Sequence, residues 1–218
     1  MMISPLQPAA RSAGVLISDI LSIMKYLLVD GENLKGKIKF VCDAQTLPHP
    51  QWHLFNFPKM FATALASYQI DKVIFYFAKI KQHAGSPQKS AALIQEQRLL
   101  KTSLESYGYE VILSGSVRGN LNAATGKIVF KEKGVDVRMA VDMVSFSCDK
   151  IVDEIILCSS DSDLQPAISE SARRGVPVVY LGFGVNPNKG LTYTTKATIL
   201  IRDEEVVSSL PAVLPLII

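Results

Sequence analysis

Short apolar runs recur along the chain, each bounded by polar or turn-forming residues: Tyr26-Leu27-Leu28-Val29, Val73-Ile74-Phe75-Tyr76-Phe77-Ala78 and Ile155-Ile156-Leu157-Cys158. A run that is apolar at every position, rather than at every second one, reads as a strand covered on both faces, as in a parallel sheet. The pattern predicts strands over 25–29, 72–78, 109–113, 154–159 and 177–182, with a short last strand near 198–201. Between them the spacing turns helical, and helices are expected over 59–68, 91–107, 135–146 and 163–174. In 91–107, Leu93, Leu100, Leu104 and Tyr107 keep to one side, and Gly108 follows as a stop signal. In 135–146, Val137, Ala140, Val141 and Val144 fall at i, i+3, i+4 and i+7, so this stripe is expected to face the core. Asp142 points away from it and reads as solvated surface. Residues 31–58, with Pro48, Pro50, Pro58 and the aromatics Trp52, Phe55 and Phe57, read as a long irregular segment. The glycine-containing stretch 114–126 reads as a loop or hairpin. Strands alternating with helices imply an α/β fold: a mostly parallel central sheet with helices on both faces.

Onto this frame fall four aspartates. Asp30 ends the first apolar run, Asp161 and Asp163 follow the run 155–158, and Asp136 sits in the first turn of helix 135–146. Ligands of open α/β sheets bind at the carboxyl ends of the strands, so Asp30 and the Asp161/Asp163 pair are expected on one edge. Asp136 has the helix dipole and free N–H groups on its side. Carboxylates gathered there repel one another unless a cation sits among them, and all-oxygen ligands suit Mg²⁺ or Mn²⁺. Each residue also has a plainer reading. Asp161 or Asp163 serves as an N-cap, Asp136 as an ordinary first-turn carboxylate, and Asn33 as a turn former. Lys127, Lys131 and Lys133 either meet a phosphate backbone or form a solvated charge run. His49, His53 and His83 lie in predicted loops and carry no chemistry. No Cys/His or Ser/His pair suggests covalent catalysis, so metal-assisted hydrolysis fits better.

Composition adds limits rather than a function. With 218 residues, 48% hydrophobic, the chain supports one well-buried core. A formal charge of +3 permits a nucleic-acid partner without arguing for one. Three cysteines without metal-ligand spacing fit a reducing cytoplasm. Residues 1–23 carry apolar patches broken by Asp19 and no basic start, so they read as an extension, not a secretory signal. The main domain is expected over 24–202. The tail 203–218 ends in an apolar stretch too short to cross a bilayer and is a candidate surface for pairing with a second copy.

Three fragments together resemble the NYN domain, the branch of the PIN-like nuclease superfamily that includes LabA-like proteins. They are Val29-Asp30-Gly31-Glu32-Asn33-Leu34, Lys131-Glu132-Lys133-Gly134-Val135-Asp136-Val137 and Ser159-Ser160-Asp161-Ser162-Asp163-Leu164. The resemblance covers roughly 24–202 and implies a PIN-like three-layer sandwich, an acidic Mg²⁺ or Mn²⁺ site and RNA cleavage by an endoribonuclease. Carried over by position, the metal-site residues are Asp30, Asp136, Asp161 and Asp163. Asn33 is then a supporting group near the scissile phosphate, and if two ions bind, Asp30 is the expected bridge. Lys131 and Lys133 are candidate substrate contacts. Two departures stand out: Ala197-Thr198 replaces a common Ala-Asp pair, removing one outer acidic contribution, and the segment 35–58 is an insert. They keep open a degenerate domain that binds RNA or protein without cutting. A metal-dependent phosphatase is the third reading, for which Asp30-Gly31-Glu32 is only a variant of the usual Asp-x-Asp.

Overall fold

Six of the eight strands in the computed structural model form one sheet. In chain order the strands are β1 (Lys25–Asp30), β2 (Lys72–Phe77), β3 (Glu110–Leu113), β4 (Ser116–Leu121), β5 (Ile128–Lys133), β6 (Glu154–Cys158), β7 (Val178–Phe183) and β8 (Ala197–Ile201). The helices are α1 (Gly31–Ala44), α2 (Phe57–Ala64), α3 (Pro87–Ser106), α4 (Val135–Cys148), α5 (Gln165–Arg173), α6 (Lys189–Thr194) and α7 (Asp203–Val207). The structure describes residues 23–83, 85–121 and 128–211, without the side chains of 118–121 and 128–132. Residues 1–22, Lys127 and 212–218 lie outside the described residues.

The sheet order is β3-β2-β1-β6-β7-β8, and every neighbouring pair is parallel. The chain winds outward from β1 to β3, then restarts at β6 on the other side of β1. That reversal is a topological switch point, where diverging connections leave a crevice at the carboxyl ends of β1 and β6. Alternation along each strand feeds two cores. Leu27 and Val29 join Phe75 and Phe77 beneath α1, α2, α3 and α7, whereas Leu28, Ile74 and Leu157 face α4, α5 and α6. Among the described residues no helix is long and apolar enough to cross a membrane.

Several expectations change. The segment 31–58 is not irregular, since its first half is α1, which buries Leu34, Ile38, Val41 and Cys42. Their i, i+4, i+7, i+8 spacing is helical, and Asp30 caps the helix. A 3-10 turn at Trp52–Leu54 follows, with Trp52 and Phe55 buried, so the segment 35–58 contributes side chains to the core. Gly31 is required at the β1–α1 turn. A Cβ there would lie 2.0 Å from the Phe77 ring.

In α4 the buried face is turned away from the expected one, and only Ala140 and Val144 of the expected stripe pack partly against the core. Val137 is 62% and Val141 55% exposed, while Val135, Met139 and Met143 are buried. The helix is apolar on two sides, and the sheet takes the side bearing the long methionines. Asp142 turns inward with them at 7% exposure, so it is not solvated surface. Arg138 makes that tolerable: its Nε lies 2.9 Å from both Asp142 oxygens. Beside this pair, burial foremost and then the Asp142 charge push the Tyr76 phenol well above its ordinary pKa. Residues 116–121 pair antiparallel with β5, which carries Lys131 and Lys133, while 122–126 lie outside the described residues. The tail from 203 begins with α7, whose Val206 is fully buried in the first core.

Candidate metal centre at the carboxyl edge of the sheet

The register Val29↔Cys158 sets Asp30 beside Ser159 at the switch point. Asp30 is the last residue of β1 and the N-cap of α1. Its Oδ1 accepts the Asn33 amide at 3.0 Å, and its Oδ2 accepts the Ser159 hydroxyl at 3.1 Å. Burial raises its pKa despite these two donors, and the Asp161 and Glu32 charges push the same way.

Past β6 the chain makes a tight acidic turn. The Asp161 amide donates to the Ser159 hydroxyl at 3.2 Å, and Asp161 Oδ1 accepts the Asp163 amide at 2.9 Å. Asp161 therefore caps the 3-10 turn Ser162–Leu164 that leads into α5. Asp136 comes from the other direction. Gly134, at φ 87°, adopts the left-handed backbone that turns β5 into α4, and Asp136 follows in the first helical turn. Carboxylate oxygens of Asp136, Asp161 and Asp163 all lie within 4.8 Å of one another.

This trio fits a hard divalent cation. Opposite oxygens of an octahedral Mg²⁺ shell are about 4.2 Å apart, so a small contraction closes the shell. Capping and ligation do not compete, because each carboxylate has a second oxygen. Asp30 stays outside the trio, with both its oxygens already accepting hydrogen bonds.

A second set of side chains clamps the acidic turn. Asn33 Oδ1 accepts the Ser160 amide at 3.1 Å, and Asn188 Nδ2 donates to the Ser160 carbonyl at 2.8 Å. The Tyr180 hydroxyl accepts the Asn188 amide at 3.2 Å and lies 3.3 Å from the Ser160 hydroxyl. Ser160, the residue just before Asp161, is thus held at both its amide and its carbonyl. Asn33 acts on this turn through its amide oxygen. Tyr180 and Asn188 carry no role in the sequence pattern, and Ser159 and Ser160 enter there only as neighbours of Asp161. The usable signal was Asn188 itself, whose Oδ1 caps α6 by accepting the Leu191 amide at 3.1 Å.

The remaining candidates sit further out. Lys133 ends β5, exposed, three residues before Asp136, and Lys131 lies on the same strand. Ala197 and Thr198 open β8. Thr198 pairs with Tyr180, which is level with Leu157 and Leu28, so it lies two residues short of Asp30 and three strands away. An acid at that position would not join the trio. Cys42 and Cys158 are buried and Cys148 is exposed, all as free thiols.

The model of the NYN domain family matches residues 26–201. No curated protein matches the chain. The crystal structure of a protein of unknown function from Vibrio parahaemolyticus RIMD 2210633 is similar, with a TM-score of 0.53 at 18% sequence identity. The match covers 82% of this chain and 93% of that one. At this identity the likeness concerns the fold alone.

Proposed function

Because this chain belongs to the NYN domain family, within the PIN-like nuclease superfamily, we propose that it is a metal-dependent endoribonuclease hydrolysing RNA phosphodiester bonds at the switch-point crevice. The observation that carries this reading is the convergence of Asp136, Asp161 and Asp163 from two separate segments onto one point. Mg²⁺ or Mn²⁺ held there would supply Lewis acidity toward a water and toward the phosphate oxygens.

The chain's own residues do the rest. Asp136, Asp161 and Asp163 would provide the negative charge that holds such a cation. Asp30 supports them from the buried side: Ser159 links its carboxylate to the Asp161 amide. Asn33 and Asn188 fix Ser160, so Asp161 is pre-placed before substrate arrives. We assign the RNA-backbone contacts to Lys133, three residues before Asp136 in sequence, and to Lys131 on the same strand. The phosphatase reading is weaker, because the aspartyl nucleophile it needs would be Asp30, which is tied down at both oxygens.

The test is a denaturing gel of labelled single-stranded RNA with Mn²⁺, Mg²⁺ or EDTA. Wild type is expected to cut only with metal, and Asp161→Asn and Asp30→Asn to cut at least a hundredfold more slowly while remaining folded. RNA that is bound but left intact by wild type in both metals would hand the case to the non-catalytic, binding-only reading.

A further inference from the structure

Beside the aspartates, between α1 and α3, a cleft of about 330 Å³ opens at the same edge of the sheet. Glu32, two residues beyond Asp30, is on its rim, and Ala78, which directly follows β2, is on its wall. Its chemistry differs from that of the metal centre. Lys35 and Lys39, one helical turn apart on α1, both project over it. The Lys35 ammonium lies 5.4 Å from the centre of the Trp52 ring and 5.9 Å from that of Phe77, and Lys39 lies 5.6 Å from Trp52. These aromatic faces hold the two long side chains in place, so little rotamer freedom remains to be lost on binding.

The charge balance is specific. Glu32 accepts a hydrogen bond from Lys35 at 2.8 Å, whereas Lys39 makes no ion pair among the described residues. Glu96 is the other acid on the cleft. Exposed Lys79 and Lys81, on the segment after β2, add positive charge along the same edge. Below the ammonium groups the walls are apolar, formed by Phe77, Leu93 and Leu100, with Val117 of the hairpin closing one side. Gln97 supplies a fixed amide there. Its Nε2 donates to the Ala78 carbonyl at 2.8 Å and its Oε1 accepts the Ile80 amide at 3.4 Å.

We propose that this cleft is a subsite for a nucleotide flanking the scissile phosphate, an inference that rests on the nuclease reading above. Lys35 and Lys39 take that nucleotide's phosphate, and its base lies against half-buried Leu93, since Phe77 and Leu100 are almost fully covered. A volume near 330 Å³ admits one nucleotide and no base pair, so the strand must be single at this point. The contacts are to phosphate and to a base face, which every nucleotide presents, so the subsite fixes path and polarity without reading sequence.

The experiment is the salt dependence of binding of a labelled oligouridylate to the full chain, read by fluorescence anisotropy in EDTA. Each phosphate contact on a single strand contributes about 0.7 to the slope of log K against log salt. Lys39→Gln is expected to flatten the slope by about 0.7 and to weaken low-salt binding several-fold. Glu32→Gln, which frees Lys35 from its carboxylate, is expected to tighten binding. Lys101→Gln is the control. Lys101 pairs with Glu105 on α3 outside the cleft, and its loss should leave the slope unchanged. A Lys39→Gln slope equal to wild type, or an equal drop in Lys101→Gln, overturns the subsite. The two readings separate cleanly because no divalent cation is present. Cleavage in Mn²⁺ with equal slopes sinks the subsite alone, and a slope change without cleavage sinks the nuclease reading.

Discussion

Neutralising Asp161 should stabilise the metal-free protein and destabilise it, relative to wild type, once metal is present. Three carboxylates with oxygens within 4.8 Å repel by about 1 kcal/mol per pair in a water-like dielectric. Asp161→Asn deletes two of the three pairs, a relief of about 2 kcal/mol. The substitution keeps the turn, because an Asn amide oxygen still accepts the Asp163 amide that Asp161 Oδ1 accepts now. For a chain of this size the gain corresponds to a melting temperature about 4–8 °C higher in EDTA. Wild type in metal at a hundred times its dissociation constant gains about 2.7 kcal/mol, more than the relief of about 2 kcal/mol that the substitution brings. Asp161→Asn should lose most of that response, so the order of the two proteins inverts between EDTA and Mn²⁺. Differential scanning fluorimetry across a Mn²⁺ titration reads both halves. A variant that melts below wild type in EDTA would show that Asp161 is held by favourable contacts rather than under repulsion. A variant with an undiminished Mn²⁺ shift would show that it is not a ligand.

Three further outcomes follow from the packing. Gly31→Ala sets a Cβ 2.0 Å from the buried Phe77 ring and is expected to cost about 1–3 kcal/mol; urea denaturation reads this, and a second change, Phe77→Leu, should recover part of the loss. Asp142→Asn should lower stability by about 1–2 kcal/mol by weakening the contact to Arg138, yet leave RNA cleavage intact. Asp142 lies six residues along α4 from Asp136, a rise of about 9 Å, so cleavage lost in a folded variant would refute this placement. Asn188→Ala removes one of the two holds on Ser160, and the Mn²⁺ concentration for half-maximal cleavage should rise about tenfold. An unchanged metal requirement would mean that Asn33 alone fixes the turn.

The sequence by itself determined the elements whose signal is local. Runs such as Leu27-Leu28-Val29 and Ile155-Ile156-Leu157 are apolar at every position because both faces of their strands are covered, and that requirement is written residue by residue. Asp30, Asp161 and Asp163 were legible for the same reason, since Asp30 ends one such run and the other two follow within five residues of the next. What the sequence could not decide was which of two comparable apolar faces a helix would bury. In α4 the Val137/Val141 stripe and the Met139/Met143 stripe are equally regular, and only the sheet beneath, with Tyr76 and the Arg138–Asp142 pair, selects the second. The α1 helix was written in its spacing, but the prolines and aromatics beyond it suggested an irregular segment; the Asp30 cap and the buried aromatics of 52–57 settle it as core. Long-range polar contacts were equally out of reach. Ser160 meets Asn33 and Asn188, 127 and 28 residues away, only because β1, β6 and β7 lie side by side. Tertiary structure also divided the four aspartates, drawing three to one point and leaving Asp30 to cap α1, because strand register and helix entry angles, not sequence distance, decide which oxygens meet.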